Sequence, residues 1–375
     1  MQQILLNQIA HDLSTPPRLH GAGTSMSAPQ HPTPGGATKP PVPKPAAPHA
    51  KARKPRHDKA PAPHAGPTLQ DCDAAIGAEL ASGGEGRIHV LRDDPSRLAK
   101  IYNPRCTPDI AKLSSMISPA YADLKARERL AWPERLVHDK AGNPVGFIMK
   151  RVQGIDLHNF NPARLSSAFP GASRTLLAHT ALNTAAMVHN LHRLDITIGD
   201  LQPRNILAST AGKVGIIDCD SFQPPGFSSK GHIAEFSAPE FLRGTVPVRD
   251  QRCDAFALAI LIFRILHIGI HPYQNLKNVP IEQQNTLGIF AFQTGNRRLL
   301  PKTPLYGPIW DLHPEPLRKA FTQVFTLGQA DRGARLSAWE WVSILEPYYK
   351  DLRAGREDDR IVVPKPPRKR RANAK

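Results

Sequence analysis

The sequence is poor in cysteine and aromatic residues, and it has no long apolar run. Its 375 residues include four cysteines, none in a CxxC pair: Cys72, Cys106, Cys219 and Cys253. This spacing argues against a zinc site, and a chain of this length does not need a disulfide framework to fold. Because no run of about 18 apolar residues occurs, a membrane-spanning helix is not expected. The first 13 residues contain no Lys or Arg, so we expect no secretory signal and predict a cytoplasmic location.

Acidic residues are also few, since 32 Asp and Glu face 49 Lys and Arg, giving a formal net charge of +17. Residues 1–70 contain eight basic residues, two acidic ones and 14 of the 38 prolines, and residues 361–375 contain six basic residues and no acid. We therefore predict disordered basic tails over 1–70 and 351–375. Such tails could attract nucleic acid, an acidic partner or a membrane surface, or could only keep the chain in solution.

The remaining body, residues 71–350, has enough apolar residues to build a core. Its first part predicts five short strands and, between the third and fourth, a helix to residue 117 with Thr107 as N-cap and Pro108 at its first position. Its later part predicts helices over 173–194, 254–266, 314–326 and 337–346, with two short strands near 205–207 and 214–217. The sequence therefore predicts an α+β fold with a β-rich lobe over 71–153 and a larger α-helical lobe over 154–350. Ligands commonly bind in the cleft between two such lobes.

A glycine-rich turn and a lysine mark the β-rich part. The turn lies between two predicted strands and contains Gly83, Gly84 and Gly86. Glycine lets backbone amides approach phosphate oxygens because it has no Cβ. Lys100 lies on the next strand, 14 residues after Gly86, where its ammonium group could hold phosphate oxygens. Each feature alone is a weak signal, because such hairpins are often only turns and most lysines lie on the surface.

Three polar residues after the long helix form a more specific pattern. Asp200 is followed five residues later by Asn205, and Asp218 comes after the next predicted hairpin. An Asp that accepts a hydroxyl proton, together with an Asn and a second Asp, can arrange Mg²⁺, a γ-phosphate and a nucleophile. The spacing therefore favours phosphoryl transfer.

These segments together resemble the protein kinase superfamily, in the right order over about 76–347. The correspondence with its motifs is as follows: Ala81, Gly83, Gly86 and Ile88 resemble the Gly-rich loop, Leu98-Ala99-Lys100 the end of V-A-I-K, Ile198-Gly199-Asp200 with Asn205 the H-R-D-L-x-x-x-N loop, Asp218-Cys219-Asp220 the D-F-G segment, and Ala238-Pro239-Glu240 the A-P-E segment. Asp254 resembles the buried Asp at the start of the central helix of the large lobe, and Arg335 resembles the Arg that pairs with the A-P-E Glu.

The resemblance implies a bilobal fold and an ATP- and Mg²⁺-dependent phosphotransferase, a serine/threonine protein kinase acting on itself or on a partner protein. It implies Asp200 and Lys100 as catalytic residues, Asn205 and Asp218 as metal ligands, and three structural residues, Glu240, Asp254 and Arg335. The ATP contacts that it implies are Ala81, Gly83, Gly84, Gly86, Ile88, Lys100, Met149 and Arg151. The sequence also resembles a bacterial branch found with von Willebrand factor type A and metal-dependent phosphatase partner proteins.

Several positions depart from the family pattern. The Arg that would receive an activation-loop phosphate is replaced by Gly199, which argues against regulation through that loop. No helix Glu is evident as a partner of Lys100, and the acidic candidates are Asp109, Asp123 and Glu128. Two alternatives therefore stay open: a pseudokinase scaffold that binds nucleotide without transfer, and a nucleic-acid-associated protein that uses its basic tails.

Overall fold

A computed structural model describes residues 72–122, 124, 127–229, 231–274, 279–290, 292 and 306–362. The predicted tail over 1–70 lies outside these residues, as does the last part of the C-terminal tail from 363 onward. Within the described part of the chain, no helix combines the length and apolarity needed to cross a membrane.

Five antiparallel strands form the first sheet, as predicted. They are β1 (Ile76–Ser82), β2 (Gly86–Leu91), β3 (Arg97–Tyr102), β4 (Pro133–His138) and β5 (Pro144–Lys150), in the spatial order β1-β2-β3-β5-β4. Successive side chains on a strand point to opposite faces. On β3, Ala99 and Ile101 therefore enter a small core on one face. Leu98 lies on the other face with the main core, and this alternation places Lys100 on that same face.

The helix after β3 is α1 (Ile110–Ile117), which packs against β4. The prediction of Thr107 as its N-cap was wrong. Asp109 caps the helix instead, because its carboxylate accepts a 2.9 Å hydrogen bond from the backbone N–H of Lys112. Asp and Thr are both favoured at this position, so the choice depends on where the backbone turns. The other end is fixed by Trp132, whose indole N–H donates to the carbonyl of Met116 at 2.8 Å.

A second antiparallel sheet contains β6 (Ile155–Asp156), β7 (Ile206–Ala208) and β8 (Val214–Ile216), in that order. Asp200 and Asn205 precede β7, and Asp218 follows β8. The N–H of Ile217 donates to the carbonyl of Asn205 at 2.9 Å. This small sheet therefore brings the two segments of the predicted motif next to each other.

Helices make up most of the remaining fold. They are α2 (Leu165–Ala168), α3 (Arg174–His192), α4 (Pro239–Leu242), α5 (Gln251–Leu266), α6 (Ile281–Leu287), α7 (Tyr306–Asp311), α8 (Glu315–Ala330) and α9 (Ala338–Arg353). Helix α5 is buried along almost its whole length and packs against α3 and α8, while α3 also packs against α9. The four predicted helices are present with shifted ends. The α5 helix begins earlier than predicted because the carboxylate of Asp250 caps its first turn.

The chain after α9 returns to the start of α3. The N–H of Arg174 donates to the carbonyl of Asp359 at 2.9 Å, and its guanidinium donates to the carbonyl of Asp358. The N–H of Thr175 also donates to the Asp359 carboxylate at 2.6 Å. The segment predicted to be disordered from 351 therefore has defined contacts as far as 359.

Candidate active site

The candidate site is centred on Lys100, in the middle of the first sheet. Its strand lies between β2 and β5, and its side chain is only 7% exposed. The ammonium Nζ lies 2.8 Å from Asp218 Oδ1, and 2.7 and 2.9 Å from the two carboxylate oxygens of Asp220. Burial alone would lower the pKa of Lys100, but the charges of Asp220 and Asp218 outweigh burial and raise it above its ordinary value. Lys100 is therefore a charged, fixed group.

Asp220 is a residue of the site to which sequence reasoning gave no role. Its side chain is 7% exposed, and besides Lys100 it accepts a 2.8 Å hydrogen bond from the hydroxyl of Tyr102. Burial and the negative charge of Asp220 raise the pKa of the Tyr102 phenol, so the phenol keeps its proton and donates it. The Asp-x-Asp pattern at 218–220 was the signal in the sequence. It does not show that the second carboxylate contacts Lys100, because the two residues are 120 positions apart.

Helix α1 supplies no carboxylate to Lys100. Of the acidic candidates, Asp109 caps the helix and Glu128 pairs with Lys150, while Asp123 lies outside the described residues. The helix instead buries Lys112, at 7% exposure. Within the described residues, the carboxylates nearest to Lys100 are therefore those of Asp218 and Asp220, which follow β8.

Asp218 has a strained backbone. Its φ and ψ are 61° and 39°, in the left-handed region that non-glycine residues rarely adopt. The turn is held because the Asp218 carbonyl accepts a 2.7 Å hydrogen bond from the hydroxyl of Ser221. Burial and the neighbouring charge of Asp220 raise the pKa of the Asp218 carboxyl, against the opposing effect of Lys100. Strain of this kind is concentrated at functional sites.

The loop before β7 holds the carboxylate of Asp200 in place. Its Oδ2 accepts hydrogen bonds from the amide groups of Gln202 at 2.7 Å and Asn205 at 3.0 Å. The Asn205 amide nitrogen also donates to the carbonyl of Asp200 at 3.0 Å. Asp200 and Asn205 are therefore fixed relative to each other before any ligand binds.

Asp254 holds the backbone just before Asp200. Its buried carboxylate accepts hydrogen bonds from the backbone N–H of Ile198 at 2.6 Å and of Gly199 at 2.9 Å. It also contacts the imidazole Nε2 of His192 at 3.1 Å. Two backbone amides are thereby tied to the first turn of α5, the most deeply buried helix.

Arg249 also contacts this region, and no sequence pattern indicated it. Gly199 has a φ of +76°, and a Cβ at this position would lie 3.5 Å from the Arg249 guanidinium. The same guanidinium donates to the carbonyls of Ser229 at 2.7 Å and Gly231 at 2.5 Å. Arg249 therefore links the Asp200 loop to the segment that precedes the Ala238-Pro239-Glu240 motif.

The glycine-rich turn joins β1 and β2. The N–H of Gly83 donates to the carbonyl of Gly86 at 2.9 Å, which closes the turn. The side-chain amide of Asn103 donates to the carbonyls of Gly83 at 3.0 Å and Gly84 at 2.8 Å. The role of Asn103 was also missed, because Asn is common in the loops that follow strands and its presence there points to no particular contact. It fixes the turn to the end of the strand that carries Lys100.

The other predicted ATP contacts lie on the same sheet. Ala81 is paired with Ile88, and Ile88 is paired across the strands with Lys100. Met149 is buried and is paired with Leu98. Arg151 follows β5, and its N–H donates to the carbonyl of Ser96 at 2.8 Å. The structure thus gathers these positions on adjacent strands and at the end of β5.

No family model matches the sequence. Two curated relatives are named protein kinase YegI: the one from Escherichia coli strain K12 is 30% identical over 302 residues, and the one from E. coli O157:H7 is 29% identical over 301 residues. Each comparison covers 74% of this chain and 45% of the relative, so the chain spans about half the length of these proteins. A protein named as a probable cell division protein kinase, from Encephalitozoon cuniculi, is 23% identical over 205 residues, with 48% of this chain and 74% of the relative covered.

The fold and the comparisons agree with each other. An antiparallel sheet is followed by a helical part, which is the bilobal α+β arrangement of a kinase-like fold. The relatives that cover most of the chain are named as protein kinases. The chain therefore has a kinase-like architecture and is similar in sequence to proteins named as protein kinases.

Proposed function

We propose that the chain is an ATP-dependent phosphotransferase, a serine/threonine protein kinase that acts on itself or on a partner protein. One observation carries the proposal: the buried ammonium of Lys100 forms a 2.8 Å ion pair with Asp218, 118 residues away. Beside this pair, Asp200 and Asn205 are fixed to each other. A scaffold without catalytic activity has no need for all four residues in this arrangement.

The donor atoms present fit Mg²⁺ and a nucleotide. Mg²⁺ prefers oxygen ligands such as carboxylates and side-chain carbonyls, and Asp218 and Asn205 offer both. The Asn205 amide nitrogen is engaged by Asp200, which leaves its Oδ1 as the atom for a cation. When bound, Mg²⁺ would neutralise charge that develops on the phosphates. Lys100 supplies a fixed positive charge for phosphate oxygens, and the turn at Gly83 and Gly84 borders open space.

In the proposed reaction the γ-phosphoryl group of ATP passes to the hydroxyl oxygen of a serine or threonine. The new P–O bond forms as the bond to the β-phosphate oxygen breaks, and ADP leaves with the electron pair. The Asp200 carboxylate orients the hydroxyl and accepts its proton. Gln202 and Asn205 hold that carboxylate in position, so catalysis rests on positioning and charge stabilisation.

The test is transfer of labelled γ-phosphate from Mg-ATP by the purified full chain, to itself and to a generic basic protein. The isosteric variants Asp200→Asn and Asp218→Asn should each reduce transfer by about 10²-fold or more. Glu346→Gln, which removes the acid of the exposed pair with Lys350 on α9, is the control that should leave the rate unchanged. Nucleotide binding without any transfer by the wild-type chain would contradict the proposal and favour a pseudokinase scaffold.

From the resemblance, we propose a cytoplasmic protein with phosphatase and von Willebrand factor type A proteins as partners. A second candidate partner is nucleic acid, which the positive charge of the tails over 1–70 and 351–375 would attract. Binding to DNA that weakens steeply with salt, and that is lost when 361–375 is removed, would support this contact.

A further inference from the structure

We propose that Asp220 is the residue that positions Lys100 for phosphate binding, in place of an acidic residue from helix α1. The inference rests on the proposed function, because it assigns a role within the same site. It goes beyond that function because neither the kinase motifs nor the relatives' names give this position a role.

Three carboxylates contact Lys100, and that of Asp220 is the most buried and makes the most contacts. Asp220 meets the ammonium with both carboxylate oxygens, at 2.7 and 2.9 Å, and its side chain is 7% exposed. The Asp218 side chain is 37% exposed and uses one oxygen, at 2.8 Å. The Glu85 side chain is 65% exposed, and its oxygen lies 3.4 Å away. Because exposed ion pairs contribute little, Glu85 is the weakest of the three partners.

The proposed role of Asp218 makes it unsuitable as a permanent partner. Asp218 contacts Lys100 through Oδ1 alone, and a cation bound to this carboxylate would compete with Lys100 for its negative charge. Asp220 gives both carboxylate oxygens to Lys100 and accepts a further hydrogen bond from the hydroxyl of Tyr102, at 2.8 Å. We assign it no metal contact, although its carboxylate lies within 4.8 Å of those of Glu85 and Asp218. Asp220 can therefore hold Lys100 both with and without bound nucleotide.

Tyr102 orients the Asp220 carboxylate from the same strand as the lysine. Lys100 and Tyr102 are two residues apart on β3, so they share one face of the sheet. Their ammonium and hydroxyl groups both donate to Oδ2 of Asp220. Two donors fixed by one strand therefore restrict the orientation of the carboxylate.

Helix α1 carries a charge of the opposite sign from the one that the resemblance implies. In protein kinases the strand lysine pairs with a Glu of the helix after it, and helix position controls that pair. Here α1 buries Lys112, at 7% exposure, and Asp109 is used as its cap. The carboxylate that pairs with Lys100 therefore lies at position 220, and the helix contributes a lysine where the resemblance implies an acid. Lys112 interacts electrostatically with both Asp220 and Lys100, so α1 acts on this cluster through a base and not through an acid.

The test compares two charge-neutralising variants of the same cluster in the full chain. Asp220→Asn should lower kcat/KM for ATP by about 10²-fold, as expected when a reacting group is misplaced by about 1 Å. The matched control Glu85→Gln removes an equal charge from the exposed partner and should lower it by less than about threefold, as expected for a weak exposed ion pair. Adding Lys112→Glu to Asp220→Asn returns an acid to the helix and should restore at least about tenfold of the loss.

A purely structural role of Asp220 would not be relieved by the second substitution, so the recovery separates positioning from folding. Equal losses in Asp220→Asn and Glu85→Gln, or no recovery with Lys112→Glu, would overturn the inference. If the wild-type chain transfers no phosphate, the proposed function fails, and the Kd of a fluorescent ATP analogue is compared instead. A Kd raised about tenfold by Asp220→Asn but not by Glu85→Gln would then support the role of Asp220, and equal Kd values would contradict it.

Discussion

The guanidinium of Arg335 forms two parallel 2.7 Å hydrogen bonds with the carboxylate of Glu240, which lies 95 residues earlier in the chain. The Arg335 side chain is fully buried and the Glu240 side chain is 11% exposed. The resemblance implied this pair, and it joins α4 to the segment between α8 and α9. Arg335 also donates to the carbonyls of Gly328 and Arg252, so its positive charge is fully enclosed.

We expect Glu240→Gln to lower the free energy of unfolding by about 3–5 kcal/mol, because it leaves the buried charge of Arg335 without its counter-ion. The control is Glu315→Gln, which removes the acid of the exposed pair with Lys319 and should cost at most about 0.5 kcal/mol. Urea unfolding of both variants measures the difference. Similar losses in the two variants would show that the buried pair has no special weight.

Arg249 should be required for activity through the backbone carbonyls that it holds. Arg249→Met removes the hydrogen bonds to Ser229 and Gly231, and we expect transfer to fall about tenfold, equivalent to about 1.4 kcal/mol. Arg243→Met is the matched control, because Arg243 donates to the carbonyl of Thr286, outside this segment. Its rate should stay within about twofold of wild type, equivalent to about 0.4 kcal/mol.

Because Arg249 holds the carbonyls of Ser229 and Gly231, we expect that this part of the chain needs no phosphate to be ordered. Gly199 stands where the family has a phosphate-binding Arg, and Arg249 reaches the segment through neutral carbonyls. Treatment of the wild-type protein with a phosphatase should therefore leave its initial rate unchanged within about twofold, equivalent to about 0.4 kcal/mol. A large loss after phosphatase treatment, recovered on incubation with ATP, would refute this expectation.

Buried histidines should make the fold sensitive to mild acid. Burial lowers the pKa of His267 and of His271 to about 3, whereas a histidine in the unfolded chain titrates near 6.5. Between these values the unfolded chain binds more protons, so stability is full above about pH 6.5 and falls as the pH drops toward 3. Each of the two residues should cost about 2 kcal/mol between pH 7.5 and pH 5.

His267→Phe tests this expectation, because His267 is stacked on Phe263 with ring centroids 3.7 Å apart and a phenyl ring can keep that stacking. The variant loses one hydrogen bond to a backbone carbonyl, but its stability should fall by about 2 kcal/mol less than wild type between pH 7.5 and pH 5. Urea unfolding at both values measures the two slopes. Identical slopes would mean that His267 does not resist protonation in the folded protein.

The glycines of the turn should differ in their tolerance of alanine. A Cβ at Gly86 would lie 2.5 Å from the carbonyl oxygen of Ile101, whereas a Cβ at Gly84 would meet nothing within 4 Å. Gly86→Ala should therefore force β2 away from β3 and cost about 1–3 kcal/mol. Gly84→Ala should change stability by less than about 0.5 kcal/mol. Thermal unfolding of the two variants decides this, and equal melting temperatures would argue against the close strand contact.

Local patterns in the sequence predicted the main elements of the fold. Alternation and turn residues located the five strands, helical periodicity located α3, and a near-continuous apolar run located α5, because each of these signals lies within one segment. The cap of α1 was misplaced, since Thr107 and Asp109 are equally acceptable until the path of the chain is known. The family motifs located Lys100, Asp200, Asn205 and Asp218.

The missed residues share one property, which is that their role depends on contacts between distant segments. Asp220 meets Lys100 from 120 residues away, and Arg249 reaches Ser229 from 20 residues away. Asn103 holds the turn at Gly84 from 19 residues away. Neither periodicity nor motif spacing records such contacts, because both describe neighbours along the chain.

The contacts between residues 358–359 and the start of α3 determine how short this protein can be made. If the chain is cut after residue 350, Arg174 loses the Asp358 carbonyl and Thr175 loses its carboxylate acceptor. The Arg174 side chain would keep the carbonyl of Leu312 and the hydroxyl of Tyr348, but the first turn of α3 would lose its acceptor for two amide protons. The smallest stable unit therefore ends beyond residue 359, in a stretch that by composition looks like the beginning of a tail.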